Sequence, residues 1–138
     1  MKKSLLFLLV LPFLVACKPT LEPFNPEPIK QQLIGNWYSS TQQSILHSYL
    51  DIYDKYMKYG TYSGTKTYYT SYDIINENTI VFHDNGFILA DDVPNNFIYV
   101  NQLNFEIQID TIYNLTKLLL TGDLNGEIII LNFNKDLD

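Results

Sequence analysis

The side chains with nucleophilic, metal-ligating or acid–base chemistry are few: one cysteine, Cys17, two histidines, His47 and His83, and fifteen acids. A single thiol builds neither a disulfide scaffold nor a multi-cysteine zinc site. His47 and His83 read as strand or surface residues rather than halves of a metal site. Two carboxylates become an acid/base couple only when their environments differ, and no spacing here marks such a pair. Asp91, Asp92, Asn95 and Asn96 make an oxygen-rich loop, but the ligand order of a calcium loop is missing, so a solvated turn is expected. No nucleophile elbow, P-loop, HExxH or dinucleotide fingerprint occurs. The expectation is a non-catalytic chain with no cofactor and no metal.

Tyrosine is the unusual feature. Eight of eleven tyrosines fall between Tyr49 and Tyr72: Tyr49, Tyr53, Tyr56, Tyr59, Tyr62, Tyr68, Tyr69 and Tyr72. One reading is strand propensity with cross-strand aromatic pairing. The other is a wall of large apolar area with hydroxyl handles, of the kind found in ligand pockets and interfaces. If the wall lines a ligand site, Trp37, Tyr49, Tyr53, Tyr62 and Tyr72 are its candidate residues.

Cys17 has a distinctive setting. Lys2 and Lys3 precede an apolar run, Ser4 to Ala16, too short for the roughly 20 residues of a spanning helix and sized for a secretory core. The run ends in Leu14-Val15-Ala16-Cys17, which resembles the lipobox of bacterial lipoproteins. That resemblance implies a diacylglyceryl thioether on Cys17, cleavage between Ala16 and Cys17, and acylation (palmitate or similar) of the new amino group. Two or more acyl chains hold a protein on a membrane where one does not. The residue after the anchor is Lys18, not Asp, which in Gram-negative lipoproteins implies the outer membrane; the cell envelope is the expected location.

The elements behind these residues are modest in size. The chain has 138 residues, 46% hydrophobic, 14% aromatic and 17% charged, which fits one small globular domain and excludes a disordered chain. It has no arginine and a formal charge of −6, so it lacks the cation row that nucleic acid requires. Removing residues 1–16 takes away Lys2 and Lys3, leaving seven lysines against fifteen acids, a charge of −8. Charge does not hold it on anionic lipid, so the acyl chains must. The chain is expected to divide into a signal peptide (1–16), a lipidated tether (17–30) and a barrel domain (31–138). Four prolines within 18–30 bias the tether to extended backbone.

Residues 31–138 read as strands. Leu103, Phe105, Ile107 and Ile109 alternate with polar neighbours across Gln102–Asp110, a half-buried strand. Asn125-Gly126 joins Leu115–Thr121 to Glu127–Phe133 as a hairpin. Two further hairpins are expected at Asn76-Glu77-Asn78 and Asp84-Asn85-Gly86, with a loop at 91–96. Residues 44–59 fit a helix by spacing, with Asp51/Lys55 and Asp54/Lys58 as i,i+4 pairs, or a strand by their Tyr and Ile content; strand is favoured, with a bulge at Gly60. About eight strands in up-and-down order must close or stack, and an eight-stranded antiparallel barrel, with one short helix at most, is the expected all-β fold.

Gly35-Asn36-Trp37 resembles the Gly-x-Trp motif that opens the first strand of lipocalin-like barrels. Gly60-Thr61-Tyr62, Tyr72-Asp73-Ile74-Ile75 and Thr79-Ile80-Val81 are similar to the middle strands of small bacterial lipocalin-like lipoproteins. The resemblance implies that Trp37 closes the barrel base beneath a cation from the last strand, where Lys135 is the stand-in for arginine. Two functions follow: a lipid-anchored barrel holding a small apolar or amphipathic ligand, or a filled barrel whose Tyr-rich acidic outside docks another envelope protein.

Overall fold

The computed structural model describes residues 22–40, 47–61, 66–93 and 96–136. Cys17, Ala16 and Tyr62 lie outside the described residues. The described residues form one helix, α1 (Glu27–Leu33), and ten strands: β1 (Gly35–Ser39), β2 (Tyr49–Ile52), β3 (Tyr56–Gly60), β4 (Thr67–Asn76), β5 (Thr79–Phe82), β6 (Phe87–Val93), β7 (Asn96–Val100), β8 (Gln102–Asp110), β9 (Leu115–Leu124) and β10 (Glu127–Asp136). Eight strands close an antiparallel barrel in the order β1-β10-β9-β8-β5-β4-β3-β2, while β6 and β7 pair only with each other. The expected all-β, eight-stranded up-and-down barrel with one short helix is therefore observed.

Alternation sets which residues fill it. Along β9, Thr116, Leu118, Leu120 and Gly122 are buried while Leu115, Lys117, Leu119 and Thr121 are half-buried on the outside. The interior receives Trp37, Leu50, Ile52, Met57, Tyr59, Tyr72, Ile80, Phe82, Leu103, Leu118, Leu120 and Phe133, each at most 3% exposed. Burying one such large side chain stabilises by about 1.5–3 kcal/mol, so this layer is the main source of stability.

Register settles the 44–59 ambiguity for its described part. Residues 49–52 and 56–60 are strands, paired Leu50↔Tyr59 and Asp51↔Lys58. The charges that could have served a helix instead work across strands and elements: Lys58 reaches Asp51 at 3.9 Å, and Lys30 of α1 reaches Asp54 at 2.8 Å. The bulge expected at Gly60 is absent. Gly60 pairs in register with both Tyr49 and Thr67, and a Cβ there would lie 2.4 Å from the Lys66 carbonyl oxygen, so glycine serves close backbone approach rather than a bulge.

Three further expectations are corrected. The tether was expected to run extended to residue 30, but Glu27–Leu33 is helical, with Pro28 inside the first turn where a missing N–H costs nothing. Asp84-Asn85-Gly86 does turn, with positive φ at Asp84 and Gly86, but it does not return β6 along β5. The edge of β5 is taken by β8, with Ile80↔Leu103. The 91–96 loop is also shorter than expected, since β6 runs to Val93 and β7 starts at Asn96.

The helix closes one end of the barrel, the end where the chain enters. Its last turn leaves carbonyls without intrahelical donors. The Trp37 indole N–H donates to the Leu33 carbonyl at 2.7 Å, and Lys135 Nζ donates to the Gln32 and Ile34 carbonyls at 3.0 and 3.3 Å. The same ammonium sits 4.6 Å from the Trp37 ring centroid, a cation–π contact at the negative end of the helix. Lys135 thus takes the place expected of it over Trp37. Gly35 permits this approach with φ +138°, since a Cβ would come 3.2 Å from Lys135 Cδ.

Candidate functional site

The opposite end of the barrel is closed by β6. Phe87, Ile88 and Leu89 are consecutive and all at most 2% exposed, so this segment is buried on both faces. Phe87 stacks in an aromatic group with Tyr59 at 4.4 Å, Phe82 at 5.1 Å and His47 at 5.5 Å between ring centroids. Leu89 lies against β9 where Gly122 leaves room: a Cβ on Gly122 would come within 2.6 Å of a Leu89 methyl.

A buried strand segment must satisfy its backbone. The Ile88 N–H donates to Tyr59 Oη at 2.9 Å, and His47 Nε2–H donates to the Ile88 carbonyl at 2.6 Å. Two barrel side chains thereby replace a missing ladder partner. The carbonyl can only accept, which fixes the proton of neutral His47 on Nε2. Burial holds the His47 pKa down at about 4, against a smaller upward pull from its bond to Ile88. Burial likewise pushes the Tyr59 phenol up to about 12.

Of the five residues expected to line a ligand site, four are described; Trp37 and Tyr49 share one groove of the β1–β3 wall, whose lining includes neither Tyr53 nor Tyr72. Trp37 and Tyr72 point inward at the α1 end, where the Tyr72 hydroxyl donates to the Tyr53 carbonyl at 2.7 Å. Tyr49 is half-buried and Tyr53 exposed on the outside of the wall, and Tyr62 is not among the described residues. The tyrosine cluster is split by the pleat: Tyr59 and Tyr72 go into the core, while Tyr53, Tyr56 and Tyr69 stay outside, 39%, 41% and 65% exposed.

The outer tyrosines are ordered. Tyr53 and Tyr56 stack at 4.5 Å between centroids, and Tyr69 follows Tyr56 at 6.3 Å. Beside them is an open groove of about 370 Å³ lined by Tyr56, Tyr69, Thr70, Ser71 and Asp84, in which the Ser71 hydroxyl donates to Asp84 at 2.8 Å. A second groove of about 470 Å³ crosses β1–β3 and is lined by Asn36, Trp37, Tyr38, Tyr49, Asp51, Lys58 and Thr61. Lys58 Nζ lies 5.6 Å from the Tyr49 ring centroid, and Tyr49 Oη is 3.2 Å from Thr67 Oγ1. The outside of β1–β4 is therefore an aromatic surface with hydroxyl and carboxylate groups along it.

For chemistry the described residues offer little. No group of three or more His, Cys, Asp or Glu stands close enough among them to hold a metal ion. His83 Nε2 pairs with Asp73 at 2.7 Å on the exposed side of β4, far in sequence and register from His47. No described helix is long and apolar enough to cross a membrane.

The role of β6 was the part that sequence reasoning missed. Phe87-Ile88-Leu89 is an unbroken apolar run, the pattern of a strand covered on both faces, but Leu118-Leu119-Leu120 and Ile128–Leu131 are such runs on barrel strands, so the run alone does not single out β6. No family model, no curated protein and no solved structure matches the chain.

Proposed function

We propose that this chain is a lipid-anchored lipoprotein of the cell envelope, non-catalytic, that acts as an interaction module through the tyrosine-rich outside of β1–β4. The lipobox at Leu14–Cys17 supports the anchor. The observation that carries the choice of surface over cavity is the occupied interior: Phe87, Ile88 and Leu89 lie in the barrel mouth, packed on Tyr59, Phe82 and Gly122. A small apolar ligand inside would have to displace them and leave both backbone groups of Ile88 without His47 and Tyr59. The outer surface has no such cost. Its stacked tyrosines present large apolar area at low entropic cost, the composition that dominates binding hot spots. The net charge of −8 after processing steers association toward a basic partner.

The test is photocrosslinking in whole cells from a probe placed at Thr67, beside the outer tyrosines. A discrete protein adduct is expected, and it should vanish when Tyr53, Tyr56 and Tyr69 are changed to Ser. An adduct that survives the triple change, or none above background, rejects this surface.

A further inference from the structure

Strand directions place the most exposed apolar residues described, Ile112 and Tyr113, at the α1 end of the barrel, while Tyr99, Ile128 and Ile130, 49%, 59% and 47% exposed, face solvent from strands toward the other end. The pairings Gly35↔Ile52, Asp136↔Leu115 and Asp110↔Leu115 place the β2–β3 turn, the β8–β9 turn and the end of β10 at the α1 end. The β8–β9 turn is the most exposed apolar feature described: Ile109, Ile112 and Tyr113 are 67%, 86% and 72% exposed. Phe24, just ahead of α1, is 40% exposed at the same end.

The turn is built to present them. Asp110 accepts the backbone N–H groups of Ile112 and Tyr113 at 3.1 and 3.2 Å, and its other oxygen takes Lys117 Nζ at 2.8 Å. Asn114 adopts φ 53° to bring the chain back into β9. The carboxylate that rigidifies the tip is thus neutralised by a lysine beside it, and Asp54 at the same end is paired with Lys30. An isoleucine at the apex followed by a tyrosine is the composition of a membrane-interface contact, with the aliphatic group in the acyl boundary and the phenol at headgroup level.

We infer that the β8–β9 tip, Ile112 and Tyr113, inserts into the lipid surface as a second attachment beside the acyl anchor, setting the barrel with its α1 end toward the membrane. This rests on the anchor at Cys17 proposed above. It commits to lipid because of where the chain is tied down. Nine residues lie between Cys17 and Glu27, and even fully extended the ten steps from one to the other span at most about 36 Å. The end of the barrel that this leash holds near the bilayer is the end that carries the tip. Among the described residues, the Asn125-Gly126 turn at the opposite end carries polar and glycine residues at its apex, with no apolar side chain as exposed as Ile112.

The experiment uses the lipidated full chain in vesicles of phosphatidylcholine and phosphatidylethanolamine, with part of the phosphatidylcholine brominated in its acyl chains. Tryptophan is introduced as Ile112→Trp or, at the far end, Asn125→Trp; buried Trp37 gives a common background. The added emission of Ile112→Trp should fall at least twofold on bromination, and that of Asn125→Trp should not change. Equal quenching at both sites, or none at 112, overturns the inference. The intact mass of the extracted chain separates the two readings. A diacylated Cys17 with no quenching at 112 refutes the tip alone. An unlipidated chain that still floats with vesicles and is quenched at 112 refutes the anchor and keeps the tip. Dimerisation that is abolished by Ile112→Ser with Tyr113→Ser, without quenching, assigns the tip to a second copy and overturns it as well.

Discussion

The contact between His47 and the β6 ribbon makes the fold acid-sensitive in a defined window. His47 is buried, stacked on Phe87 and Tyr59, and bonded to the Ile88 carbonyl, with its pKa held at about 4 instead of 6.5. Because the folded value lies below the unfolded one, the unfolded chain takes up the proton first as pH falls. The His47 contribution is therefore complete above pH 6.5 and is lost progressively between 6.5 and 4. Each tenfold difference in proton affinity between the folded and unfolded chain is worth about 1.4 kcal/mol, so the full effect is about 3 kcal/mol, of which about 2 kcal/mol is lost between pH 7 and pH 5. The carboxylates of Asp54 and Asp110, held below their ordinary range by hydrogen bonds from Lys30 and Lys117, lose their stabilisation only below about pH 4, so the windows separate. Urea unfolding followed by tyrosine and tryptophan fluorescence at pH 7, 6 and 5 reads the effect. His47→Gln keeps a donor for Ile88 but cannot titrate. Its stability should change by less than about 0.5 kcal/mol over this range, while the unaltered chain loses about 2 kcal/mol. Parallel pH curves for the two proteins would refute the assignment to His47.

Gly122→Leu fills the space that Leu89 occupies and should destabilise by about 1–3 kcal/mol in urea unfolding; a neutral result would mean that the ribbon does not pack there in solution. Trp37→Phe keeps an aromatic ring but strips the Leu33 carbonyl of its donor and shrinks the buried side chain, and a loss of about 1–3 kcal/mol is expected. Calorimetric unfolding that is unchanged would contradict the account of how α1 is held. Changing Tyr53, Tyr56 and Tyr69 together to Ser should abolish partner crosslinking while shifting stability by no more than about 1 kcal/mol, since all three are on the outside; collapse of the fold would show them to be structural instead.

The barrel was legible because its strands obey the period of two. Leu103 and Phe105 are buried and Asn104 and Glu106 exposed, as their alternation requires, and the Asn125-Gly126 turn has the positive φ values a two-residue hairpin demands. Residues 44–59 are ambiguous in sequence because Asp51, Asp54, Lys55 and Lys58 suit both a helix face and a cross-strand pair; only the partner strand decides, and no local pattern names that partner. Prolines at 26 and 28 argued for extended chain by local rule, but they sit at the start of a helix that is held from outside by Trp37 and Lys135.

The tyrosines show the limit most clearly. Their spacing marks an aromatic wall, but the pleat sends Tyr59 and Tyr72 inward and Tyr53, Tyr56 and Tyr69 outward, so one sequence cluster becomes core on one face and surface on the other. Which strand fills the mouth is a matter of topology. The turn at Asp84–Gly86 is visible in the sequence, whereas the choice of β8 over β6 as the neighbour of β5 is not.

The most direct measurement is native mass spectrometry of the full chain extracted gently from membranes. A single species is expected, equal to residues 17–138 with the acyl groups on Cys17 and nothing further. A bound small molecule of several hundred daltons, released on unfolding, would contradict a barrel filled by its own side chains.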